Sequence, residues 1–109
     1  MKQTPTFEAK IFIGLGTPDH EYLLEQVQDV CQEYVDSVGL CVTVTPTQYV
    51  YTGGTERGAI VGLINYPRFP DLLGVRDKAL KLAALLKGRF RQQRVSVMFH
   101  DETVMLENV

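Results

Sequence analysis

Cysteine is scarce in this sequence. Only Cys31 and Cys41 occur in 109 residues, and neither belongs to a Cys-x-x-Cys pair. That excludes a disulfide-built scaffold and points to two buried thiols in a reducing compartment. Histidine is as rare: His20 and His100 have no ligand-type partner three or four positions away, so no metal site is expected, and His100-Asp101-Glu102 reads as a surface turn. No apolar run approaches the ~20 residues that cross a bilayer. The start, MKQTPTFEAKIF, lacks the apolar stretch of a signal peptide. A cytoplasmic protein with no membrane contact is therefore expected. A positive balance is missing too. The net charge of −2 argues against a nucleic-acid partner. Gly14-Leu15-Gly16-Thr17 has neither a third glycine nor a following Gly-Lys-Ser/Thr, so it is a small-residue turn rather than a phosphate loop. No Ser-His-Asp or Cys-His grouping can be assembled, and no cofactor is expected.

What is present is a chain with 45% apolar residues, enough for one domain over residues 1–109 with one modest core. Residues 8–15 alternate as a strand, with Ala9, Ile11, Ile13 and Leu15 on one side and Lys10, Phe12 and Gly14 on the other. A helix is expected from Thr17 or Asp19 as cap to about Val38. Its apolar stripe is Leu23, Val27, Val30, Cys31, Tyr34, Val35 and Val38, and Gly39 is its stop. Residues 40–52 form a second strand that Pro46 confines to an edge or a bulge. Residues 57–66 form a third. A second helix starts at Asp71, buries Leu72, Val75, Ala79, Leu82, Ala83 and Leu86, and ends at Gly88. Residues 94–100 are the last full strand, followed by a short extended piece. The order βαββαβ specifies an α+β, ferredoxin-like plait: a four-stranded antiparallel sheet with two helices on one face.

The helix-free face collects Phe12, Tyr49 or Val50, Ile60, Ile64, Met98 and Tyr66. It is too apolar for solvent and implies a homo-oligomer, a dimer or trimer, unless residues 103–107 fold over it. Charge is divided between the helices. Asp19, Glu21, Glu25, Asp29, Glu33 and Asp36 fall on the first with no Lys or Arg among them; between 68 and 94, Arg68, Arg76, Lys78, Lys81, Lys87, Arg89, Arg91 and Arg94 stand against only Asp71 and Asp77. The helix flanks can complement each other, or the basic KGRFRQQR can hold an anion. The hairpin YVYTGGTERG offers a second candidate. Tyr49 and Tyr51 share a strand face, and Glu56 and Arg57 stand across the turn. Rings plus a guanidinium can stack and clamp a base or an anionic ring. The same residues also serve as cross-strand pairs that stiffen a hairpin.

KIFIGL, VTVTPTQYVYTGGTERGAIVGLI and KGRFRQQRVSVMF together resemble a family of small bacterial and phage proteins. In its ending, Arg-Phe and a Gln lead into a valine-rich strand. The family pattern often has Gly before that Gln, where Arg91 stands here. The resemblance implies the fold and, if the family shares a site, matching positions at Tyr49, Tyr51, Glu56, Arg89, Gln92 and Gln93. The hairpin layout is also loosely similar to trimeric signalling and metal-tolerance proteins of the PII and CutA type, in architecture only.

These readings converge on a non-enzymatic, oligomeric binding protein, phage-encoded in keeping with the resemblance, that senses or sequesters a small anionic, nucleotide-like ligand at a subunit junction. The candidate residues are Tyr49, Tyr51, Glu56, Arg57, Arg89, Arg91, Gln92 and Gln93. The alternative is a protein–protein interaction module that inhibits a host protein.

Overall fold

The structure, a computed structural model, describes residues 1–68 and 72–108, with the side chains of residues 72 and 73 left aside. The expected cap at Asp71 and the burial of Leu72 lie outside the described residues.

Strand β1 (Glu8–Gly14) pairs antiparallel with two neighbours, β5 (Gly54–Ile64) and β6 (Arg94–Phe99). Strand β4 (Val42–Tyr51) continues beyond β5, and β7 (Thr103–Glu107) beyond β6. The sheet thus has five strands in the order β4-β5-β1-β6-β7, one more than the four-stranded plait expected from the sequence. The extra strand is the chain end, which pairs edge-on with β6 instead of folding over the helix-free face. The architecture is α+β, with two helices on an antiparallel sheet. Pro46 is accommodated because β4 is an edge strand, where a missing N–H leaves no ladder bond unmade; its register with β5 is unbroken.

Helix α1 (Leu24–Val38) packs over β4 and β5, and α2 (Leu72–Arg89) over β1 and β6. Their apolar faces and the odd-numbered side chains of β1 form a single core. It includes Ile11, Ile13, Val27, Val61, Leu63, Val75, Leu82, Leu86 and Val97. Among the described residues no helix is long and apolar enough to cross a membrane.

The sequence misplaces the start of α1. Residues 16–21 form a small ribbon of β2 (Gly16–Thr17) and β3 (His20–Glu21). The Tyr22 N–H donates to the Leu15 carbonyl at 2.7 Å and closes the ribbon. The Thr17 hydroxyl donates to Asp19 Oδ1 at 2.9 Å, so these cap-type residues satisfy a turn rather than a helix end. Leu23 precedes the helix, its N–H donating to Gln26 Oε1 at 2.8 Å, and is 56% exposed rather than part of the buried stripe. At the other end Gly39 takes the left-handed backbone, with φ of 71°, as expected. Cys31 is buried, and burial pushes its thiol up to about 11. Cys41 is exposed, contrary to the expected pair of buried thiols.

Gly88 does not stop α2. The Arg91 N–H reaches back to the Gly88 carbonyl (3.3 Å) and the Gln92 N–H to the Lys87 carbonyl (3.0 Å). That paired closure needs a left-handed residue at position 91. Arg91 fills it, with φ of 49°.

Leu82 lies at the centre of the core with no exposed surface. Leu82→Ala should lower unfolding free energy by about 2–5 kcal/mol, read as a fall in the urea midpoint at unchanged slope.

Candidate functional site

The two-residue period of β1 sends Phe12 and Gly14 to the helix-free face, where Gly14 pairs with Gly58 of β5. Two facing glycines leave a trough in the sheet. A Cβ on Gly58 would stand 2.1 Å from the Tyr49 ring and 2.7 Å from the Ile13 carbonyl oxygen. The trough is therefore occupied by the Tyr49 ring, lying against bare backbone. The Tyr49 hydroxyl stands 3.1 Å from both the Ile13 and the Ala59 carbonyl oxygens and donates across the β1–β5 ladder. Burial, and then the nearby Glu56 carboxylate, push its phenol from the ordinary 10.0 to about 12.

Gly14 is a second approach point. A Cβ there would meet Gln92 Oε1 at 2.8 Å and Glu56 Oε1 at 3.2 Å. The Gln92 amide is fixed by donating to the Gly16 carbonyl at 3.1 Å and the Phe90 carbonyl at 2.9 Å. Glu56 faces Tyr49 across the β4–β5 ladder. Among the described residues it has no cationic partner.

Around this floor runs a cleft of about 620 Å³ at the hairpin end of the helix-free face. Phe12, Tyr49, Tyr51, Glu56, Arg91 and Gln92 line it, joined by Gln93, Arg94, Ser96 and the Gly16–Pro18 ribbon. Arg91 comes from the left-handed end of α2. Its Nε donates to the Tyr22 hydroxyl at 2.9 Å and its Nη2 lies 3.5 Å from Asp19 Oδ1. The Thr17 hydroxyl, and then the Arg91 guanidinium, hold the Asp19 carboxyl below the usual range. Tyr22 is itself wedged edge-on against Phe90 at 5.0 Å.

Of the eight candidate residues, Tyr49, Tyr51, Glu56, Arg91, Gln92 and Gln93 come together in the cleft. Arg57 and Arg89 do not. Arg57 is one residue out of phase with Glu56, so its side chain turns to the opposite face and lies 3.8 Å from Glu21. Arg89 is still on α2 and pairs with Glu33 of α1 at 3.3 Å, the flank-to-flank complementarity foreseen for the helices. The expected clamp of Tyr49, Tyr51, Arg57 and Arg89 is therefore split between two faces of the sheet. Phe12, Gly14, the 16–18 ribbon and Ser96 are not among the candidates, and Arg94 enters only as the end of KGRFRQQR. The alternation Phe12-Gly14-Gly16 and Arg94-Ser96-Met98 carries the signal for all of them except Thr17 and Pro18, whose composition reads as a helix start. Among the described residues no three His, Cys, Asp or Glu side chains gather as metal ligands.

Neither a family model nor a curated protein sequence matches this chain. Two solved structures share its fold. A phage SAM lyase in the apo state superposes with a TM-score of 0.81 at 22% identity, covering 94% of this chain and 89% of the lyase. A phage SAM lyase in complex with S-methyl-5'-thioadenosine superposes with a TM-score of 0.76 at 22% identity, covering 99% and 94%. This likeness overturns the reading of the sequence as a non-enzymatic binding protein, because the fold it shares is that of an enzyme.

The Tyr49 phenol is protonated more firmly in the folded chain than in the unfolded one. Its contribution to stability is complete below about pH 10 and is lost as pH rises through about 12. Tyr49→Phe should flatten the stability profile in that window relative to wild type, measured by urea titration from pH 8 to 12.

Proposed function

We propose that this protein is a lyase acting on S-adenosylmethionine, releasing S-methyl-5'-thioadenosine. The observation that carries the reading is Glu56: a carboxylate with no cationic partner among the described residues, set beside Tyr49 and Tyr51 in a cleft on a fold shared with phage SAM lyases. S-Adenosylmethionine carries a fixed positive charge on sulfur. A carboxylate flanked by aromatic rings complements that charge, since ring faces attract cations by about 0.5–2 kcal/mol. The adenosine then has Phe12 and Tyr51 to stack on and the Gln92 and Gln93 amides to bond. The expected ligand keeps its nucleoside character, but its reacting centre is cationic rather than anionic.

Release of the thioether requires the bond between sulfur and the γ-carbon to break, with its electron pair passing to sulfur. Sulfur becomes neutral, and the γ-carbon must gain a new bond without water. Two closures balance. The substrate's own carboxylate can attack the γ-carbon and form a lactone, with no proton lost. Alternatively, a base can remove a β-proton and leave an alkene. Glu56 is the cleft's available base for the second closure, because Tyr49 keeps its proton far above neutral pH. For the first closure it holds the sulfonium in place. In both, the cationic sulfur of the substrate is neutralised as the bond breaks, and Glu56 stands on an open cleft beside it.

A homo-oligomer fits the same reading. Met105 (53%), opposite the cleft residue Ser96, and Met98 (38%) and Ile64 (41%), further from the hairpin end, leave apolar surface exposed along the helix-free face, and exposed apolar surface favours association. A protein made by a phage inside its host is consistent with the fold's relatives.

Incubation with S-adenosylmethionine should yield S-methyl-5'-thioadenosine on chromatography, with mass spectrometry of the four-carbon product assigning the closure. Glu56→Gln should lower kcat/KM by about 10²-fold. Substrate loss no faster than in buffer would overturn the proposal. Ile64→Asp with Met105→Asp should shift the protein to monomer on sizing chromatography; wild type already running as a monomer would remove the oligomer.

A further inference from the structure

We infer that Arg91, seconded by Arg94, forms the carboxylate-recognising end of the cleft, so that the site selects adenosyl ligands bearing an amino-acid carboxylate. The inference rests on the lyase reading above and names what distinguishes its substrate from its product.

The cleft is polar along its length. Glu56 and the hairpin tyrosines stand on β4 and β5, whereas Arg91 and Arg94 stand at the entry to β6, with β1 between. Strands two places apart are separated by about 10 Å. That suits a ligand whose sulfur sits near Glu56 and whose four-carbon chain runs across β1 towards the arginines. An α-carboxylate would then meet guanidinium groups, which match its two oxygens in geometry as well as charge.

Two observations single out Arg91. Its φ of 49° makes it the one non-glycine residue with a positive φ among those described. Glycine is the ordinary occupant of such a helix-ending position, because any other L-residue is strained there. Strain of this kind persists where the surroundings enforce it, and it concentrates at ligand-binding sites. The side chain is also held in place. Tyr22 accepts from Nε and Asp19 lies beside Nη2, which fixes the guanidinium plane of a residue that lines the cleft. Arg94, three residues on, faces Glu107 across the β6–β7 ladder but forms no ion pair among the described residues.

The competing account is that Arg91 only latches the β2–β3 ribbon to the end of α2. Calorimetry with two uncleavable ligands separates the accounts. S-Adenosylhomocysteine carries the amino-acid carboxylate, and S-methyl-5'-thioadenosine does not. Arg91→Gly should weaken S-adenosylhomocysteine about tenfold or more, leave S-methyl-5'-thioadenosine unchanged, and leave the Tm equal to or above that of wild type. Arg91→Lys should recover part of the loss, and Arg94→Gln should show the same ligand dependence more weakly. Equal weakening of both ligands by Arg91→Gly, or weakening of neither, would overturn the inference while leaving the lyase reading standing. Wild-type protein that binds neither ligand would overturn both.

Discussion

The position of β1 in the middle of the sheet determines both halves of this molecule. A strand bonded on each side has no freedom to slip, because a one-residue shift would exchange its two faces. Ala9, Ile11, Ile13 and, just beyond, Leu15 therefore stay in the core, and Phe12 and Gly14 stay on the face without helices. Core and cleft are two readings of one alternating pattern. The Gly14–Gly58 pair shows the connection most plainly: side chains there would strengthen an ordinary sheet, but they would exclude Tyr49 from the backbone it bonds.

Much of this was visible in the sequence. The alternation of β1, the stripe of α1 from Val27 to Val35, the edge or bulge that Pro46 demands and the tight turn through Gly53 all follow from local rules. The cleft was legible where it lay within one strand: Tyr49 and Tyr51 share a face at a spacing of two. It failed where a face had to be carried across a turn. Arg57 differs from Glu56 by one position, and only the exact register, Tyr49 opposite Glu56 and Gln48 opposite Arg57, decides which of them joins the tyrosines. Arg89 and Arg91 differ by two positions, but a helix ends between them, so one side chain meets α1 and the other the cleft.

Other failures have different causes. Thr17-Pro18-Asp19 has the composition of a helix start, and the same hydrogen-bonding ability lets it close a ribbon. The competing bond from Tyr22 to Leu15 is a tertiary fact that propensity does not hold. Gly88 was the obvious stop for α2, yet the left-handed residue is Arg91, three positions on. Glycine inside a helix is tolerated at a modest cost, whereas a helix end is set by where its last carbonyls find donors. The proposed lyase activity was illegible for a further reason. The cleft depends on a carboxylate, aromatic rings and amides, which are also the ordinary components of a stable hairpin.

The distribution of charge gives the cleft its character. Arg57 with Glu21, Arg89 with Glu33, and Arg76 with Glu102 are paired away from it. Such exposed pairs add little stability, typically below ~1 kcal/mol each. Arg57 turns to the face opposite Glu56, and Arg76 and Arg89 stand on α2, so none of the three reaches Glu56. A guanidinium close enough to pair with Glu56 would neutralise it and compete with any cationic ligand. Arg91 could have been that competitor, but its guanidinium is drawn aside by Tyr22 and Asp19, at the cost of a left-handed backbone. A negative pole and a positive pole thus persist in one cleft without collapsing onto each other. A zwitterionic ligand whose cationic and anionic groups are separated by a short carbon chain matches that arrangement better than a simple anion does.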